Sequence, residues 1–213
     1  MATATVEVLA EEQTRVPPVG KVTFEEFIEW CDEDIRAEWV DGDIELMPSP
    51  VSLDHQDIAG FLDQTLGLYV TARDLGKTVL APYVMHLAHI SRGREPDLIF
   101  VKKERLHLLT RLYLDGPADL AIEIISPSSL KRDTKIKLKE YERAGVEEYW
   151  LLDPDAKTAV FYQLEGNTYR SVKPDRNGIY HSRVVTGYWL RVASLWQQPL
   201  PNPLAVLREL NVI

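Results

Sequence analysis

The chain has 213 residues, 45% of them hydrophobic and 27% charged, so it is long enough to bury a core and has the composition of an ordinary globular protein. Its formal net charge is −9, which excludes broad electrostatic attraction to nucleic acid and demands a local basic patch or bound metal ions if phosphates are to be held. The single cysteine, Cys31, excludes an internal disulfide and a cysteine-based zinc site, and no apolar run is long enough to span a membrane.

Met1 to Gly20 lacks the basic start and apolar core of a signal peptide. The expectation is a flexible tail over 1–20, a single domain over 21–213, and a cytoplasmic protein. Thr23 followed by Glu26 is a capping box and predicts a helix over Phe24 to Cys31, with Phe24, Phe27, Ile28 and Cys31 on its apolar side. Ala37 to Val40 and Asp43 to Met47 flank Asp41-Gly42, a strong hairpin signal, and Pro48 and Pro50 end it. His55, Ile58, Ala59, Leu62, Leu66 and Tyr69 recur at helical spacing, which predicts a second helix from about Ser52 to Arg73. Strands follow at Thr78 to Ala81, Tyr83 to Leu87 and Leu98 to Val101, then a loop-like stretch from Lys102 to Pro117.

Asp119 to Ile125 is apolar on both faces, the mark of a central strand. The turn Ser126-Pro127-Ser128-Ser129 leads into a helix over Lys131 to Ala144, capped by Gly145, and Glu148 to Asp153 is the next strand. This strand–helix–strand unit predicts a parallel crossover. Hairpin strands at Thr158 to Leu164 and Thr168 to Val172, later strands near Ile179 to Val185 and Tyr188 to Val192, and a short helix after Pro203 complete the chain. The fold class is α/β with a mixed sheet and additional antiparallel hairpins.

Glu123 is the one charge inside the central strand, and Asp97 opens the apolar run before it. A carboxylate among apolar strand residues costs several kcal/mol unless a cation offsets it. Either a salt bridge or a metal ion would do so, and hard carboxylate oxygens suit magnesium or manganese. Stepping about 100° per residue puts Asp133, Thr134, Lys137, Leu138, Tyr141 and Ala144 on the inward arc of the crossover helix, so Lys137 is its inward lysine. That lysine either serves the carboxylates or pairs with Asp133 at i,i+4 spacing. His55 heads the apolar stripe of the second helix, as a core or capping histidine or as part of a site. Glu38 lies on the first hairpin. Arg92, Arg94, Lys102, Lys103, Arg105, Lys131, Arg132, Lys135 and Lys139 are candidate phosphate contacts or solvated charges. No phosphate-binding glycine loop, nucleophile elbow or metalloprotease helix motif is present.

Ala37-Glu38-Trp39-Val40-Asp41-Gly42-Asp43-Ile44, Ser49-Pro50 with His55-Gln56, Pro96-Asp97, and Ile122-Glu123-Ile124-Ile125-Ser126-Pro127-Ser128 together resemble the Uma-two family, as does Asp133 through Lys137 and Tyr141 to Gly145-Val146-Glu147-Glu148-Tyr149-Trp150-Leu151. The resemblance covers about residues 22 to 195 and implies a PD-(D/E)XK restriction-endonuclease-like core. It further implies a magnesium- or manganese-dependent endonuclease acting on nucleic acid, DNA first, as a homodimer without membrane attachment. Carried over, the metal ligands are Asp97, Glu123 and Glu38. Ile125 stands where the parent pattern has lysine, and Lys137 on the following helix takes that place, with His55 beside the phosphate or its water. The alternative is an inactive nuclease-like module that dimerises or binds a partner.

Overall fold

The computed structural model describes residues 17–31, 35–47 and 51–213. The predicted tail lies outside these up to position 16, as do Pro48 and Pro50. Two sheets meet at the segment Glu95-Pro96-Asp97, and this junction positions the site. The first sheet holds β1 (Ala37–Val40), β2 (Asp43–Leu46), β4 (Val84–Leu87), β5 (Arg92–Arg94) and β7 (Tyr113–Asp115), in the order β2-β1-β5-β4-β7. It is covered by α1 (Phe24–Trp30), whose Phe24 and Phe27 pack with Ala37 and Val84. The predicted capping box is present, with Thr23 and Glu26 bonded reciprocally.

The central sheet has six strands. These are β3 (Gly76–Leu80), β6 (Leu98–Lys102), β8 (Leu120–Ile124), β9 (Glu148–Asp153), β10 (Thr158–Glu165) and β11 (Thr168–Val172), ordered β11-β10-β9-β8-β6-β3. Strands β8 and β9 run parallel, as the crossover requires, and the other neighbours are antiparallel, so the sheet is mixed. Alternation along the strands fills both faces. Leu98, Phe100, Leu120, Ile122, Trp150 and Leu152 pack under α2 (Leu53–Leu62) and α3 (Leu68–Ala72). Ile99, Val101, Ala121, Tyr149 and Leu151 pack against Tyr141 and Ala144 of α4 (Leu138–Ala144). Glu123, two residues after Ala121, therefore belongs to the α4 face. Among the described residues no helix is long and apolar enough to cross a membrane.

Local structure departs from the sequence reading at four places. The second helix is interrupted by a π-helical turn at Asp63–Gly67, where the Thr65 hydroxyl donates to the Phe61 carbonyl and loosens the regular ladder. The crossover helix carries a π-helical turn at Arg132–Lys137, directly before α4. The stretch after Lys102 contains a 3₁₀ turn at Lys103–Leu108 and then β7. The strand near Ile179 stops early: β12 (Ile179–His181) pairs with β13 (Trp189–Arg191), and the predicted continuation to Val185 instead wraps around Glu148. α5 (Pro203–Glu209) ends the chain.

Glu148 is fully buried at the start of β9 and accepts five hydrogen bonds, from Trp150 Nε1, Tyr180 OH, Ser182 Oγ and the backbone N–H groups of Arg183 and Val184. It ties the C-terminal hairpin to the central sheet. Glu148→Ala strands these donors, two of them backbone groups, and is expected to lower stability by about 3–5 kcal/mol. Urea unfolding checks this, and a loss below about 1 kcal/mol would show that the carboxylate is not the anchor.

Candidate active site

Lys137 ends the π-helical turn and is completely buried. Its Nζ lies 2.7 Å from Glu123 Oε1 on β8 and 2.9 Å from Glu38 Oε1 on β1, with Asp133 Oδ1 at 3.8 Å one turn back. One ammonium thus joins both sheets and the crossover helix. The i,i+4 partner is present but is the longest of the three contacts. Burial alone would lower the Lys137 pKa; Glu123 and Glu38 outweigh it and raise the pKa above the ordinary lysine value. Lys137 is therefore a fixed cation.

Charges alternate from this point outward. Glu38 Oε2 accepts from Arg94 Nη1 at 2.7 Å, while its Oε1 also accepts from the Glu95 backbone N–H at 3.1 Å. Arg94 grips Glu140 with Nε and Nη2 at 2.7 and 2.9 Å. Glu140 is shared with Arg92, which reaches the exposed Asp41 at 2.5 Å. Burial would raise the Glu38 pKa, but Lys137 and Arg94 reverse this and hold it at about 2. Glu123 goes the other way. Burial raises its pKa well above the carboxylate range, Lys137 opposes, and Asp133, Asp97 and Glu38 add to the rise. The cations favour Glu38, so Glu123 is the carboxylate left most in need of positive charge.

Asp97 stands at the entry to β6, the strand paired with the one that carries Glu123. Its Oδ2 accepts from the Ile124 backbone N–H at 2.7 Å, and its Oδ1 lies 3.2 Å from His55 Nε2 in the first turn of α2. His55 is buried, and its Nδ1 has no hydrogen-bond partner. Asp97, Glu123, His55, Ile125 and Asp133 line one cleft of about 590 Å³. The structure thus joins Glu38, Glu123 and Lys137 in one contact cluster, and places Asp97 with His55 in the cleft that Glu123 lines.

A magnesium or manganese ion fits this donor set in one form only. Among the described residues no group of three or more His, Cys, Asp or Glu is arranged to hold a metal. Both Glu38 oxygens are engaged by Arg94, Lys137 and the Glu95 N–H. Asp97 and Glu123 share the cleft, and Asp133 Oδ1 is buried there without a hydrogen-bond partner, an excess of negative charge that a cation would offset. Two carboxylates with water and substrate phosphate are the usual magnesium shell.

Sequence reasoning missed Tyr141, Glu140, Glu95 and Arg36 as members of the site and gave Arg94 a different role. Tyr141, assigned to the core, is buried but donates its OH to Glu123 Oε1 at 2.7 Å. Arg94 and Glu140 form the ion-pair ladder, and Glu95 pairs with Arg36 at the cleft edge. Arg92 and Arg94, candidate phosphate contacts or solvated charges in the sequence, are engaged in internal ion pairs. Lys102 and Arg105 pair with Asp119, and Lys103 pairs with Asp74. The four-residue spacing of Lys137 and Tyr141 was the one signal that pointed to the tyrosine.

A mixed sheet flanked by helices, with a buried carboxylate on its central strand met by a lysine from the crossover helix, is the arrangement these residues build. The chain belongs to the Uma2 family, described as "Putative restriction endonuclease", whose model matches residues 24–193. It is also similar to a crystal structure from Anabaena variabilis described as "a putative nuclease belonging to DUF820", with TM-score 0.69 and 18% identity over 82% of this chain and 97% of that one. At that identity the likeness concerns the fold. No curated protein matches the chain.

The low pKa of Glu38 sets a pH dependence. The stabilisation is complete above the ordinary value of 4.5 and is lost as pH falls toward about 2. Glu38→Gln is expected to cost about 3 kcal/mol at neutral pH. In urea titrations the gap to wild type should narrow below pH 4.5, and a gap independent of pH would show that ionisation contributes nothing.

Proposed function

We propose that the protein is a metal-dependent endonuclease that hydrolyses phosphodiester bonds of nucleic acid, with DNA as the first substrate to test. The observation that carries this reading is the buried Lys137 ammonium held against Glu123, a carboxylate that lines a cleft together with Asp97. The family description supports it. Asp97 and Glu123 would hold magnesium or manganese, which when bound supplies a Lewis acid that acidifies water and draws charge from the phosphate.

The chain's own residues do the rest. Glu38 holds Lys137 in place rather than contributing to the metal. Lys137, as a permanent cation, stabilises negative charge that builds on the phosphate in the transition state, and does not act as a base. Tyr141 orients Glu123, and the Ile124 N–H orients Asp97. His55 steadies Asp97 through Nε2 and keeps Nδ1 for substrate or water. The alternative reading, a nuclease fold retained for dimerisation or partner binding, is favoured by the internal pairing of so many basic side chains.

Magnesium should activate cleavage of plasmid or oligonucleotide DNA. Glu123→Gln and Lys137→Met should each reduce the rate by roughly 10²-fold or more, with folding verified by circular dichroism. Asp97→Asn and Glu123→Gln should weaken manganese binding read by paramagnetic resonance. A folded wild type that binds no divalent ion and cuts neither DNA nor RNA would overturn the enzyme reading and leave the binding module.

A further inference from the structure

Five arginines among the described residues are not exposed: Arg36, Arg92, Arg94, Arg105 and Arg132. Four of them meet a carboxylate within hydrogen-bonding distance, Arg36 with Glu95, Arg92 with Asp41, Arg94 with Glu38 and Arg105 with Asp119. Arg132 does not. Its side chain is only 19% exposed, and its nearest carboxylate oxygen, Asp133 Oδ1, is 3.7 Å from Nε. Neither that Nε nor that Oδ1 has a hydrogen-bond partner, although both are buried. A buried guanidinium N–H without a hydrogen-bond partner costs free energy unless something else completes its shell.

Arg132 lines the same cleft as Asp97 and Glu123. Ser126 and Ser128, from the turn that feeds the crossover helix, line it too, with their hydroxyls 3.1 Å apart. The cleft wall therefore offers a planar fork of N–H donors and two hydroxyls beside the carboxylate pair. This is donor chemistry for a tetrahedral oxyanion.

We infer that Arg132, assisted by Ser126 and Ser128, binds a backbone phosphate of the nucleic-acid strand beside the carboxylate pair Asp97 and Glu123. The inference rests on the nuclease reading for the identity of the anion. It assigns the substrate contact to one short stretch of backbone, which is compatible with a chain of net charge −9 whose other half-buried arginines are engaged internally. A neighbouring phosphate held here fixes the register of the strand, so Arg132 acts on binding more than on the chemical step.

The test is binding of a short fluorescein-labelled single strand of DNA, read by anisotropy with calcium in place of magnesium, for wild type, Arg132→Gln and Arg132→Lys. Arg132→Gln should weaken binding about tenfold and flatten the plot of log affinity against log salt by about 0.7, the value for one phosphate on a single strand. Arg132→Lys should restore the slope but not the full affinity, because it keeps the charge and loses the fork. Strands with one neutral methylphosphonate linkage, walked along the sequence, should reveal a position that weakens wild type and leaves Arg132→Gln indifferent. If Arg132→Gln does not fold, the walk on wild type and Arg132→Lys decides: Arg132→Lys should be less sensitive than wild type at one linkage, and equal sensitivity everywhere overturns the inference. Wild-type affinity and slope in a folded Arg132→Gln also overturn it while leaving the nuclease reading intact. Arg132-dependent binding without cleavage under any divalent ion removes the nuclease reading and keeps the phosphate site. A wild type that binds no strand overturns both.

Discussion

A buried ammonium is the constraint on which this architecture turns. Lys137 has no access to water, and an unpaired charge in that position would cost several kcal/mol. The cost is offset because carboxylates arrive from two sheets, Glu38 from β1 and Glu123 from β8, while the lysine itself comes from the crossover helix. Displacing any of the three elements lengthens a buried charge–charge contact. The relative placement of the two sheets is thus linked to the electrostatics of one contact. Arg94 and Glu140 extend the same coupling to the next turn of the helix and to β5.

This ladder separates carboxylates that look alike in the sequence. Glu38 is held ionised by two cations, whereas Glu123 receives one cation and three repulsive neighbours. The first is a structural anion that aims a lysine, and the second is the group whose charge calls for a further cation. The internal pairing of Arg92, Arg94, Lys102 and Arg105 also engages four of the nine candidate phosphate contacts. Under the proposed nuclease function, recognition would rest on the cleft rather than on a broad positive surface, in keeping with the net charge of −9.

Much of the fold was legible because period and punctuation agree. The capping box at Thr23, the Asp-Gly hairpin at Asp41, the apolar strand around Glu123 and the strand at Glu148 all appear where local pattern places them. The inward arc of the crossover helix correctly buried Asp133, Lys137, Tyr141 and Ala144. It missed Glu140, which no hydrophobic pattern could reveal, because its burial depends on Arg92 and Arg94 from a distant strand. That strand, Arg92-Gly93-Arg94, was invisible for the same reason: it has no apolar alternation and exists as a strand through its pairing with β1 and β4. The shortened strand at Ile179 follows the same rule, since Glu148 draws the backbone of Arg183 and Val184 away from a sheet ladder.

By itself, then, the sequence determined the element types, the mixed α/β class and the short set of residues around which a site could form. Those properties are local, set by side-chain periodicity, caps and turn chemistry within a few residues of each other. Tertiary structure alone decided which acid meets which base. It gave Glu38 to Lys137 and Arg94, set Asp97 beside His55, turned Tyr141 from a core residue into a hydrogen-bond donor, and left Arg132 Nε without a hydrogen-bond partner. Electrostatic pairing acts over a few ångströms between segments separated by up to about a hundred residues, and no pattern along the chain encodes that distance.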